Sequence, residues 1–174
     1  MGREVRRVPA NWEHPKKANG QYIPLLDYGK PYSQVAREWD EEKAQWKKGY
    51  RLDWSKDGRV FKPRTSDETG TYTKWNGPRP VPEDFMPEWP ESEKTHYQMY
   101  ETCSEGTPIS PVMASPEELA RWLADYNASA FGSMTANYQD WLCTIKQGSA
   151  PSMILSNGTL KSGVEACNHK EREV

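Results

Sequence analysis

Ser115-Pro116-Glu117-Glu118-Leu119 decides where this chain builds its core. The Ser115 hydroxyl is placed to cap a helix, Pro116 suits the first helical position, and Glu118 completes a capping box. Leu119, Trp122, Leu123 and Tyr126 follow at i, i+3, i+4 and i+7, one apolar face of a helix. Asn127 tolerates the left-handed conformation that ends helices. After a small-residue linker the same spacing returns as Tyr138, Trp141, Leu142 and Ile145, with Thr135 the expected cap and Gly148 the expected terminator. Each Trp-Leu pair needs a surface to pack against, and the flanks supply one. Residues 96–103 read as a strand with Tyr97, Met99 and Cys103 on one face. Residues 152–156, the turn dipeptide Asn157-Gly158 and residues 159–166 read as a hairpin.

The expectation is an α+β fold: a compact C-terminal unit over 91–174, with two amphipathic helices on a short antiparallel sheet. An extended Pro/Trp-rich half would occupy 1–90. Within that half, residues 1–31 show no regular period and read as an extended arm that inserts Trp12 and the patch from Ile23 to Leu26 against something apolar. Residues 33–48 read as a helix, with Val35, Trp39 and Trp46 in a narrow stripe that Glu42 interrupts, stopped at Gly49. Asp57-Gly58 suits a hairpin between 50–55 and 59–62. Pro78-Arg79-Pro80-Val81-Pro82 cannot run as a helix or a central strand, so this stretch is an extended wrap or linker. The tail from Asn168 to Val174 is almost wholly polar and is expected to fray.

Hydrophobic residues make up only 35% of the 174, and eight tryptophans carry area that aliphatics normally supply. No apolar run approaches the roughly 20 residues needed to cross a bilayer. Cys103, Cys143 and Cys167 are too few and too scattered for a disulfide framework and suit a reducing cytoplasm, and Cys143 points away from the apolar face of its helix. The net charge of −2 is uneven: residues 1–30 carry six basic and three acidic side chains, residues 91–174 six and eleven. Such asymmetry steers a charged partner or favours head-to-tail association.

Chemistry is sparsely signalled. There is no phosphate-binding loop, no dinucleotide fingerprint and no nucleophile elbow. Cys167 and His169 are two apart, but a closed zinc site needs about four ligands, and His14, His96, Cys103 and Cys143 come from separate segments. Neither a metal nor a cofactor is expected. A small enzyme would draw on residues 96–107, where His96, Cys103 and nearby carboxylates run into a polar turn. Between Arg51 and Arg79, seven basic residues against four acidic ones alternate with Trp54, Phe61, Tyr72 and Trp75, a pattern suited to single-stranded nucleic acid. Self-association as a virion or assembly component is a further alternative. The tryptophans of the Pro-rich half, with its arginines, suit partner binding, and the candidate residues are Trp12, Trp54, Trp75, Trp89, Arg51 and Arg79.

Three groups of residues carry a resemblance. The opening from Met1 to Pro9, then Trp12-Glu13-His14-Pro15 and Tyr22-Ile23-Pro24-Leu25-Leu26, resembles the start of a family of small proteins encoded by bacteriophages and prophages. Tyr97-Gln98-Met99-Tyr100-Glu101 with Ser104-Glu105-Gly106-Thr107-Pro108 is similar to the same group, as is Ala150-Pro151-Ser152-Met153. The chain departs from it at Lys146-Gln147-Gly148-Ser149-Ala150-Pro151, where an aromatic is expected after the glycine. The resemblance implies an origin, and with it residence in the cytoplasm of a bacterial host, but brings no activity and no site residues. A small protein of that origin without catalytic motifs is expected to bind a host or phage macromolecular complex, inhibitors of bacterial defence being one such class. No membrane association is expected.

Overall fold

A computed structural model describes residues 2–27, 29–56, 58–102, 106–156 and 158–167. The fold is α+β, with five α-helices and antiparallel sheets among the described residues. Two compact units divide the chain, Met1–Leu25 with Trp89–Val174, and Leu26–Glu88. The second is an insertion in the first. The division therefore differs from a boundary at residue 90, and the reason is the first strand.

Strand β1 (Gly2–Val8) runs antiparallel to two partners, so residues 1–31 are not simply an extended arm. It lies between β4 (His96–Glu101) and β6 (Ser149–Pro151), and β5 (Thr107–Pro108) completes the sheet in the order β5-β4-β1-β6. Gly2 is required here, because a Cβ would stand 1.9 Å from the Ala150 carbonyl oxygen. Pleating sends Val5 and its partner Met99 to one face and Glu4, Arg6, Tyr100 and Gln98 to the other. The first face meets helices α3 (Pro116–Asp125) and α4 (Tyr138–Gln147), in a core of Met99, Leu119, Leu123, Trp141, Ile145, Ala150 and Val164.

Local chemistry sets both helices. The Ser115 hydroxyl accepts from the Glu118 N–H at 3.1 Å, and the Glu118 carboxylate reaches back to accept from the Ala114 N–H. At the far end Asn127 has φ 49°, with Asn127 N–H donating to Ala124 O and Ala128 N–H to Leu123 O. That is the paired bonding of a Schellman stop. The cap of α4 is Asn137, whose side chain accepts from Gln139 and Asp140, and not Thr135; Gly148 ends the helix at φ 95°.

Strands β7 (Met153–Ser156) and β8 (Thr159–Ser162) form the expected hairpin, but residues Gly163–Cys167 turn into a short helix, α5, where strand was expected. The Ser162 hydroxyl accepts from the Glu165 N–H, which favours the turn into helix. Helix α5 sets Cys167 beside Cys143 on α4, with Cα atoms 6.0 Å apart, and a disulfide joins them. This corrects the expectation of free thiols. Cys103, Asp57, Asn157 and the tail from Asn168 lie outside the described residues.

The inserted unit is built around α1 (Tyr32–Lys47), which buries Ala36, Trp39 and Trp46. Strands β2 (Tyr50–Ser55) and β3 (Gly58–Pro63) make a hairpin, and α2 (Tyr72–Asn76) is a single helical turn capped by Thr71 that the proline-rich composition obscured. Its core is Trp39, Trp46 and Tyr72. The ends of the unit are tied by Leu26 N–H to Asp84 O at 2.8 Å and Met86 N–H to Leu26 O at 3.0 Å.

Candidate functional site

The polar face of the first unit's sheet gathers a network of buried side chains. Tyr100, fully buried, stands at its centre. Its hydroxyl accepts from the Trp12 indole N–H at 3.1 Å, donates to Gln98 Oε1 at 2.8 Å and lies 3.2 Å from His14 Nδ1. The Arg6 guanidinium sits 4.4 Å over the Tyr100 ring and donates to the Leu25 carbonyl. His14 Nε2 is 2.7 Å from the Ile23 carbonyl, which can only accept, so this nitrogen carries the proton. Burial pushes the His14 pKa down, the Ile23 bond opposes that, and the nearby Arg6 charge adds to the lowering. His14 is therefore neutral at physiological pH.

Trp12, His14, Gln98 and Ser110 border a cavity of about 610 Å³ that Tyr22, Lys16 and Pro111 also line. Its polar atoms are largely committed to one another. Gln98 donates to the Ser110 carbonyl, and the Ser110 hydroxyl accepts from the Met99 N–H. The site reads first as the means by which the segment from Pro9 to Leu25 is held on the sheet. No spacing in the sequence marked His14, because its partners come from a strand some 86 positions away and from a backbone carbonyl.

The histidine considered for catalysis, His96, is bonded through Nδ1 to its neighbour Thr95 and does not line this cavity. Cys103, Ser104 and Glu105 lie outside the described residues. Among the described residues no three His, Cys, Asp or Glu side chains converge as metal ligands.

The six residues expected to meet a partner separate into three pairs. Trp12 and Trp89 pack edge to face at 4.8 Å in the first unit, both half-buried. Trp54 and Trp75, in the second unit, are 70% and 53% exposed. Trp54 stands on β2, on the face that also carries Tyr50 and Leu52 and their partners Pro63 and Phe61. Trp75 leans on Trp46, ring centroids 5.2 Å apart. Arg51 and Arg79 are already paired. Arg51 lies 2.8 Å from the Glu68 carboxylate, and Arg79 grips Asp40 through Nε and Nη2 while Nη1 donates to the Tyr32 hydroxyl. The Arg79 contact holds the Asp40 carboxyl below the usual carboxylate range. Arg59 is likewise 2.8 Å from Glu42, Lys62 bonds Asp53, and Arg64 lies over the Trp46 ring. The basic stretch expected to attract nucleic acid thus spends most of its charge inside its own unit.

A second surface depression of about 500 Å³ lies along α3. Trp122 and Tyr126 stack there with centroids 4.7 Å apart and planes 19° from parallel, and Arg121 sits 4.3 Å over the Tyr138 ring. Tyr126 is 69% exposed and so does not belong to the buried face of α3. A helix of ten residues ends before i+7 can turn back to the core.

Comparison with protein-family models, with curated proteins and with solved structures returns no match. No helix among the described residues is long and apolar enough to cross a membrane.

Proposed function

We propose that this chain is a non-enzymatic binding protein of phage origin that modulates a host macromolecular complex, inhibition of a bacterial defence system being one such role. The observation that carries the reading is the exposure of Trp54 and Trp75 on the inserted unit. Large aromatic side chains left in water are costly to keep and are the residue type that dominates protein–protein hot spots. The β2–β3 hairpin adds Tyr50, 41% exposed, on the same face as Trp54. Recognition through this face needs no free arginine, which fits the internal pairing of Arg51 and Arg79. The phage origin rests on the sequence resemblance alone.

The test is capture from bacterial lysate on tagged protein, with and without nuclease, alongside a Trp54→Ala/Trp75→Ala variant. A host complex retained after nuclease and lost with the variant is the expected result. Capture that vanishes with nuclease moves the assignment to nucleic acid. Capture indifferent to the two tryptophans overturns the role given to them.

A further inference from the structure

The depression along α3 is chemically unlike the tryptophan face, and nothing proposed for that face uses it. Its floor is aromatic, Trp122 stacked on Tyr126 with Tyr138 alongside, and its rim is acidic. Glu117 and Asp125 line it, both exposed, and neither has a hydrogen bond or ion pair among the described residues. Arg121 is four positions from each and so stands where an i,i+4 ion pair forms on a helix. It pairs with neither and lies instead over the Tyr138 ring.

Helix stability explains one of these carboxylates and not the other. Glu117 is in the first turn of α3, where the helix dipole favours an anion. Asp125 is at the last position, the negative end, and the final turn holds no basic residue. An unpaired aspartate beside an exposed stacked Trp–Tyr pair opposes the helix and leaves apolar area in water. Both features are explained by one occupant, a cation with a flat or apolar body. Guanidinium and ammonium groups are held by ring faces and carboxylates together, and Arg121 on Tyr138 shows a ring of this groove already holding a guanidinium over its face.

We infer that the groove lined by Trp122, Tyr126, Tyr138, Glu117 and Asp125 is a docking site for an arginine-bearing segment of a partner protein. The incoming guanidinium lies over the Trp122–Tyr126 stack and pairs with Asp125, with Glu117 drawing a second basic residue to the other end. The excess of carboxylates over the single Arg121 selects a basic partner segment and repels an acidic one. The groove belongs to the first unit and shares no residue with the assignment made for Trp54 and Trp75 in the second, so either assignment can fail alone.

The experiment titrates the full chain into a fluorescein-labelled peptide of alternating arginine and glycine, read by anisotropy, with the citrulline analogue as the uncharged control. The arginine peptide is expected to bind and the citrulline peptide not. Asp125→Asn and Tyr126→Ala each weaken binding about two- to fivefold, the range of an exposed ion pair or cation–π contact. Trp54→Ala/Trp75→Ala leaves binding unchanged. Both groove substitutions are at exposed positions, and Asp125→Asn preserves shape, so a folded variant is available whatever Tyr126→Ala does. Binding that ignores both variants, or that the citrulline peptide reproduces, overturns the assignment. Tetramethylammonium displacing the peptide at equal affinity per cation overturns it in favour of a small-cation site. Self-association lost with Asp125→Asn, without peptide binding, overturns it in favour of a second copy.

Discussion

The two units solve the problem of a chain poor in aliphatic residues in opposite ways. The first buries a mixed core of Leu119, Leu123, Met99, Val164 and Trp141, seals both faces of a sheet, and ties α4 to α5 with a disulfide. The second buries three aromatics and surrounds them with cations paired to carboxylates: Arg59 on Glu42, Arg51 on Glu68, Arg79 on Asp40. Of these pairs Arg79–Asp40 is exposed and contributes little, the other two are partly buried, and the unit has a smaller apolar core and keeps two tryptophans outside. One unit gathers Trp141 into a mixed core, and the other leaves Trp54 and Trp75 in water.

Breaking the first unit has the largest expected effect. Trp141→Ala removes a fully buried indole from the centre of the core and is expected to cost about 3–5 kcal/mol, read by urea titration and by loss of amide protection in the first unit. Reduction of the Cys143–Cys167 bridge, which spans a sequence separation of 24, is expected to cost about 3 kcal/mol on chain-entropy grounds. The Cys143→Ser variant checks the same quantity without reductant.

Acidification separates the units by pH. Burial holds the folded His14 pKa below its ordinary 6.5, so in the window just below 6.5 the unfolded chain binds a proton that the folded chain refuses. The contribution of His14 to the first unit is thus present above that window and falls as the pH drops through it. In the second unit, Glu38 is lowered by bonds from Lys30 and Gln34, and Asp53 by its bond from Lys62. Their contributions persist down to the ordinary carboxylate range and are lost only below it. Amide protection factors are expected to fall first in the first unit, and His14→Gln is expected to remove the early step.

The smallest effect sharpens the comparison most. Trp54→Ala and Trp75→Ala are expected to change stability within about 0.5 kcal/mol, since surface positions away from special contacts seldom do more. A large destabilisation would show that these rings support the second unit's core and are not held for a partner.

The legible parts of the fold were those governed by local chemistry. The capping box at Ser115, the stop at Asn127 and the helix over Tyr32–Lys47 follow from residues within a few positions of one another. Strand β1 was hidden because a two-sided burial places Arg3 and Arg6 inside, each only 2% and 5% exposed, where a sequence pattern expects apolar residues. Arg3 is accepted there because the Ser129 carbonyl and hydroxyl take its N–H groups, and Arg6 because Glu4 and the Leu25 carbonyl do. Helix α5 was hidden because residues 159–166 also suit a strand, and the disulfide was hidden with it. Of the candidate site residues, exposure distinguishes Trp54 and Trp75 from Trp12 and Trp89, and composition offers no way to make that distinction.

Oxidative footprinting of the tryptophans, in the free chain and in the captured complex, tests the division of labour most directly. Modification of Trp54 and Trp75 in the free chain, protection of both in the complex, and an unmodified Trp141 throughout is the predicted result. Trp54 and Trp75 equally modified in both states, with protection found on Trp12 or Trp89 instead, would contradict the account by placing the captured complex on the Trp12–Trp89 pair.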